Sequence, residues 1–339
     1  MADDGTETSA WRVLAPLTDL VTPMAVRAAA TLRLADLMGD RPVPVEELAR
    51  RSDTDPDALA RLLRHLICHG LFAEPRPGAF AVNETAALLR SDHPSGVRTG
   101  LDLDGFGGRM DLAFTGILHT VRTGEPAWEA VFGAPYWRYL ADNPELSAAF
   151  DELMSVDSRY VAAAAASYDW SGTRHVVDVG GGAGTLLAAI LEANPHLRGT
   201  LVDLPETAER GRRRLAERGL DGRGDVVGQS FFDPLPTRGD VYVLSSVVHD
   251  WADPEAVAIL RRCAEAAGPD GRVVLIEQHS AEDGDPAAYA EMNLRMLVLA
   301  GGRERDLAAY TALVSEAGLT VTDVHTTELG QIRITCEPT

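Results

Sequence analysis

Cysteine, basic charge and long apolar runs are scarce in this sequence of 339 residues, and each shortage narrows what the chain can do. The three cysteines, Cys68, Cys263 and Cys336, lie far apart and form no metal-ligand spacing. That argues against a zinc site and reads as buried thiols in a reducing compartment. Lysine and arginine number 31 against 51 acids, a net charge of −20, so phosphate backbones and anionic membranes are poor partners. No uninterrupted run of about 18 apolar residues occurs. The start, MADDGTETSA, is polar and acidic, so neither a membrane span nor a secretory signal is expected. The reading is a cytoplasmic chain whose partner is a small molecule, without nucleic acid, membrane or metal.

What is present is 45% hydrophobic residues, enough for one large domain or two ordinary ones. Residues 14–38 recur at helical spacing, with Pro23 marking a break or kink after Thr22. Next come a short helix, a turn at Ser52–Pro56 with Asp53 or Asp55 as cap, and a longer helix ending at Gly70. A two-stranded wing around Pro75–Gly78 completes a winged-helix pattern over residues 1–100. A DNA reader needs a basic stripe there, but Arg61 and Arg64 face Asp53, Asp55 and Asp57, which favours a dimerisation scaffold. Residues 101–170 are helical and rich in aromatics, a composition that reads either as ordinary core or as a linker that also lines an apolar acceptor pocket. From 171 to 339 the runs VVDVGG, TLVDL, DVYVLSSVV and GRVVLIEQ alternate with helix-compatible stretches, and two alternating segments flank Leu329-Gly330. This predicts an α/β, Rossmann-like, mostly parallel sheet ending in an antiparallel hairpin.

VVDVGGGAGTL sets Gly180, Gly182 and Gly184 between a strand and a helix, where glycine lets backbone approach a ligand closely. A dinucleotide fingerprint would need its last glycine where Thr185 stands. The pattern is instead headed by Asp178, and Asp203 closes the next strand, placed to accept ribose hydroxyls. One acid near a cationic ligand and another on its ribose fit S-adenosylmethionine better than NAD.

VVDVGGGAG, QSFFDPLP, VVHDWADPEAV and LAGGRER, in that order, resemble the motifs of the class I S-adenosylmethionine-dependent small-molecule O-methyltransferases. That family includes plant caffeate and flavonoid enzymes and bacterial antibiotic-tailoring, mitomycin-type enzymes. The resemblance covers nearly the whole chain and implies a homodimer acting on an aromatic secondary metabolite. It implies that Gly180 and Gly182 approach the methionine part of the cofactor and Asp203 the ribose, with Ser230 and Phe231 bordering the adenine and Ser245 approaching from the next strand. Many relatives carry aspartate at the Ser230 position. For the acceptor it points to Phe150, Met154, Asn293 and Met296, with aspartate common in relatives at the Asn293 position.

Methyl transfer to a phenol needs a proton acceptor, because ionising a phenol of pKa near 10 at neutral pH costs about 4 kcal/mol. His249 closes DVYVLSSVV on the ligand-binding edge of the sheet and is the expected general base. Glu277, closing VVLIEQ, and Glu304, in GGRER, are expected to hold its imidazole. Asp250 reads as structural, and Asp253 as a cap with Pro254 in the first turn of the next helix. The other histidines, His279 among them, lie in no comparable constellation. Two alternatives stay open: N- or C-methylation or cofactor-assisted decarboxylation or hydroxylation, and a winged-helix regulator that senses S-adenosylmethionine.

Overall fold

The computed structural model describes residues 10–154, 158–237, 239–278, 285–327 and 329–339. His279 and most of the acidic start lie outside them. The chain divides into two compact units, Met1–Asp111 and Leu112–Thr339, so the helices of the 101–170 stretch belong partly to each.

The first unit opens with helices Ala10–Thr18, Val21–Thr31 and Leu34–Met38. The break expected at Pro23 falls at Asp19–Leu20 instead. Asp19 Oδ1 accepts from the Val21 and Thr22 amides at 2.9 and 3.2 Å, and Pro23 sits in the next helix's first turn, where its missing N–H is harmless. Taken together, Val13–Thr31 has the length and apolar composition of a membrane-crossing helix, which a search for an uninterrupted run passes over. Asp55, not Asp53, caps helix Pro56–Cys68, its Oδ1 accepting from Ala58 N at 2.8 Å. Asp53 ends the preceding helix in the left-handed conformation. Strands β1 (Val43–Pro44), β2 (Ala73–Arg76) and β3 (Ala79–Ala81) form the expected wing, ordered β1-β3-β2. Leu48, Leu63, Leu66 and Phe80 are fully buried in this unit's core. Cys68, expected to be buried, is exposed at its helix end, whereas Cys263 and Cys336 are buried.

In the second unit, β4 (His175–Val179), β5 (Arg198–Asp203), β6 (Gly224–Gly228), β7 (Val241–Ser245), β8 (Arg272–Gln278), β9 (Leu319–Thr326) and β10 (Gln331–Pro338) make one sheet. Among the described residues its order is β6-β5-β4-β7-β8-β10-β9. β4 to β8 are parallel, and β10 runs antiparallel between β8 and β9. The chain enters at β4, works outward to β6 and returns to β7. The order therefore reverses between β4 and β7, and their carboxyl ends flank a ligand crevice. One apolar layer packs the sheet against helices Asp253–Ala267 and Leu307–Glu316, another against Ser158–Ala166 and Thr185–Ala193.

Asn83 staples the wing to the helical part of its unit. Its Oδ1 accepts from the Phe72 and Ala86 amides, and its Nδ2 donates to the Gly70 and Phe72 carbonyls, all within 2.8 to 3.2 Å. Asn83→Ala removes a helix cap and orphans these groups, so it is expected to cost about 2 kcal/mol. Thermal unfolding checks this: the first melting step should fall by several degrees, and an unchanged step would refute the stapling role.

Candidate active site

At the β4 end, Gly180, Gly182 and Gly184 all take positive φ, as the sharp strand-to-helix turn requires. The Gly180 amide donates to the Val202 carbonyl at 2.8 Å. A Cβ at Gly180 would press on Val247 and Phe231, whereas one at Gly182 would stand in open space. Gly182 thus presents bare backbone to the crevice. Its amide is taken by Asp203 Oδ2 at 2.8 Å, while Asp203 Oδ1 accepts from Leu204 N at 2.7 Å. Asp178 lies beneath the loop, 1% exposed, with the Leu187 amide as the one donor that opposes its burial. A Cβ at Gly181 would collide with it at 2.4 Å. Burial and the neighbouring charge of Asp203 push Asp178 up to about 7, and burial chiefly pushes Asp203 up to about 6.

A buried and a half-buried acid under a bare glycine loop ask for positive charge, not phosphate. This fits the methionine and ribose parts of S-adenosylmethionine and is a poor cradle for a pyrophosphate. Ser230 Oγ accepts from Phe232 N at 3.2 Å, and Phe231 packs edge-on against Trp251 at 5.7 Å. Trp251 also stacks on Trp137 at 5.9 Å, so these aromatics form a wall. Ser245 is the last residue of β7.

His249 does not close β7. The strand ends at Ser245, Ser246 takes a left-handed φ of 54°, and His249 sits on a 3-10 turn, Val248–Asp250. Glu277 holds that turn rather than the imidazole: its Oε1 accepts from Val247 N and Val248 N at 3.2 and 2.8 Å. The imidazole itself is bound by Glu304, with Nδ1 2.8 Å from Oε1. A carboxylate accepts, so Nδ1 carries a proton, and Nε2 is the nitrogen whose proton can be exchanged. Asp250 Oδ1 lies 3.6 Å from Nε2, which brings a third carboxylate to a histidine only 12% exposed. Burial alone would depress the imidazole, but Asp250, the Glu304 hydrogen bond and Glu277 outweigh it and push His249 up to about 10. Burial raises Glu277 to about 7 and Asp250 to about 6.

The 300–306 segment is fitted to this turn. Helix Pro286–Leu299 ends with the Met296 carbonyl accepting from the Ala300, Gly301 and Gly302 amides. Asn293 Oδ1 accepts from Glu304 N at 3.0 Å, and Arg303 N donates to the His249 carbonyl at 2.8 Å. Asn293 and Met296 therefore shape the segment that carries Glu304. Phe150 packs edge-on against Tyr136 and Trp137 at 6.4 and 6.0 Å, and Met154 is largely exposed at the end of its helix. Asp253 is no cap: it is the first residue of its helix, and its carboxylate faces Arg303 and Arg305. Among the described residues, no group of three or more His, Cys, Asp or Glu could hold a metal ion.

The model of the O-methyltransferase domain matches residues 114–320, and that of the O-methyltransferase dimerisation domain matches residues 16–92. The chain belongs to the S-adenosylmethionine-dependent O-methyltransferases. It is 48% identical over 314 residues to the 2,7-dihydroxy-5-methyl-1-naphthoate 7-O-methyltransferase of Streptomyces carzinostaticus, covering 92% of this chain and 93% of that one. The solved O-methyltransferase of neocarzinostatin biosynthesis, in complex with S-adenosylmethionine and 2-hydroxy-5-methyl naphthoic acid, is 46% identical. It aligns with TM-score 0.89 over 96% of this chain and 98% of its own. The aclacinomycin 10-hydroxylase of Streptomyces purpurascens is 44% identical over 93% of this chain and 85% of that protein.

A Cβ at Gly302 of this methyltransferase would lie 2.1 Å from the His249 carbonyl oxygen, so only glycine lets the segment close on the turn. Gly302→Ala is expected to lower turnover at least about tenfold by displacing the turn. The Kd for S-adenosylmethionine, measured by calorimetry, should stay within about twofold, since the glycine loop is untouched. Equal losses of turnover and cofactor affinity would show that the substitution disturbs more than the turn.

Proposed function

We propose that the chain transfers the methyl group of S-adenosylmethionine to a phenolic hydroxyl of a fused-ring aromatic metabolite, with His249 as the proton acceptor. The observation that carries the reading is the buried imidazole locked at Nδ1 by Glu304, with Nε2 turned away from it and Asp250 3.6 Å off, beside a cofactor loop on the same sheet edge. The most similar relatives named above act on or bind hydroxynaphthoates, which supports an acceptor of that class. When bound, the cofactor supplies a methyl carbon on a sulfonium. Gly180, Gly182 and Asp203 position it, with Asp178 beneath them and Ser230, Phe231 and Ser245 at its edge. Phe150, Met154, Asn293 and Met296 serve the acceptor side, Asn293 through Glu304.

Carboxylates around His249 raise its proton affinity toward that of a phenol, so transfer between them is close to thermoneutral. The same charges keep the resting imidazole protonated at neutral pH. The competent, neutral form therefore grows as pH rises. Turnover on a phenolic acceptor is expected to climb from pH 7 upward, and in His249→Gln to fall about a hundredfold and climb only as the acceptor itself ionises. A flat wild-type profile across that range would remove the base.

The similarity to a hydroxylase keeps cofactor-assisted oxidation as the second reading, and the product's mass separates a gained methylene from a gained oxygen. A DNA-reading role is disfavoured because Arg61 pairs with Asp57 at 2.7 Å and Arg64 with Glu74 at 3.0 Å, leaving little free positive charge on helix Pro56–Cys68. The proposed compartment is the cytoplasm, where the cofactor is made and free thiols persist.

We also infer a homodimer through the first unit. Its dimerisation-domain match is accompanied by apolar residues left in water, Val13 at 61%, Leu17 at 82% and Leu20 at 70% exposure. Leu17→Glu is expected to shift the protein from dimer to monomer in sedimentation or size-exclusion runs, and an unmoved dimer would place the interface elsewhere.

A further inference from the structure

Arg305 was not singled out by its sequence context, yet its side chain is 1% exposed and is built into the back of the His249 turn. Nη1 donates to the Val248 carbonyl at 3.0 Å and Nη2 to the Trp251 carbonyl at 2.7 Å, the two carbonyls that bracket His249 and Asp250. Nε and Nη2 also reach Asp253 Oδ1, at 3.1 and 2.7 Å, which pins the fork to the first residue of helix Asp253–Ala267. From the other side Glu277 takes the amides of Val247 and Val248. The turn is therefore gripped by a buried anion on its amides and a buried cation on its carbonyls. A guanidinium spreads its donors over three nitrogens in a rigid planar fork, whereas the three N–H groups of an ammonium radiate from one nitrogen on a flexible stem.

We propose that Arg305 is a positioning residue for methyl transfer: it fixes the turn that presents His249, and its charge balances the three carboxylates buried around the imidazole. The inference rests on His249 being the proton acceptor. The carboxylates that face His249 are Asp250 on its own turn, Glu277 on β8 and Glu304 on the 300–306 segment, while the guanidiniums of Arg303 and Arg305 on that segment pair with Asp253. Tyr310, Tyr289 and Tyr136 complete the surroundings from three helices, Tyr310 within reach of Glu277, Glu304 and Arg305 and Tyr136 within reach of Asp250. In this set Arg305 and Arg303 are the permanent cations, and Arg303 is mostly exposed.

Removing a cation from such a cluster strengthens proton binding at the imidazole, so the rising limb of the pH profile should move to higher pH. Arg305→Lys keeps the charge and loses the fork; Arg305→Gln loses both. Both are expected to lower kcat at least about tenfold with the Kd for S-adenosylmethionine within about twofold. Only Arg305→Gln should shift the limb upward. Asp253→Asn, at a half-exposed site that folding tolerates, should lower kcat several-fold through a loosened fork, and serves if the arginine variants fail to fold. In a His249→Gln background Arg305→Lys should cost nothing further. Wild-type kcat in Arg305→Lys or Asp253→Asn, or an unshifted limb in Arg305→Gln with kcat and cofactor affinity falling together, would overturn the proposal. Full turnover in His249→Gln would instead remove the base itself and leave the arginine contacts purely structural.

Discussion

Three carboxylates and one imidazole share a single buried pocket at the ends of β7 and β8, and the need to balance their charge dictates how the chain runs around them. Burying an unpaired carboxylate costs several kcal/mol, so each acid must find a donor. Glu277 finds two backbone amides, Glu304 finds the imidazole, and Asp250 lies on the imidazole's far nitrogen. To meet these needs the chain leaves β7 through a left-handed Ser246, a conformation that costs a non-glycine residue about 1 kcal/mol or more. It must also bring the GGRER segment so close to the turn that Gly302 has no room for a side chain.

The cofactor side obeys the same constraint with fewer donors. Asp203 is served by two amides, but Asp178 has only the Leu187 amide to oppose its burial and sits under a glycine that it would clash with if a Cβ were added. The charge of Asp203 raises the proton affinity of Asp178, and that of Asp151 raises the proton affinity of Asp203. A site so deficient in positive charge discriminates by electrostatics: a sulfonium with an ammonium supplies what is missing, whereas a pyrophosphate adds to the excess.

What the sequence made legible follows the strength of local signals. β4, β7 and β8 are near-continuous Val, Leu and Ile runs, as strands buried on both faces require, and they were readable at once. β6, GDVVG, lies at the sheet edge with one dipeptide of apolar side chains, so nothing in its composition separates it from a loop. The residues His249, Glu277 and Glu304 were legible as a set by resemblance, but their division of labour was not. That depends on where β7 stops, and a single positive φ at Ser246 decides it. Pro23 and Asp253 misled for a related reason: Pro is silent inside a first helical turn, and an aspartate at a helix start is a cap only if no arginine claims it first.

The two halves of the site are also joined by charge conservation. On the proposed mechanism the formal positive charge would lie with the cofactor, which Asp178 and Asp203 would help to hold, before transfer, and on the imidazole, amid Asp250, Glu277 and Glu304, after it. Each end of the reaction thus has its own buried acids, and the protein's fixed charges need not reorganise as the positive charge crosses the crevice. A bound cation also opposes protonation of His249, because like charges in one low-dielectric crevice raise each other's energy. On the proposed mechanism, loading the donor would therefore favour the neutral imidazole. The carboxylates that raise the proton affinity of His249 would hold its proton tightly in the free protein, and on the proposed mechanism a cationic cofactor would supply the opposing charge.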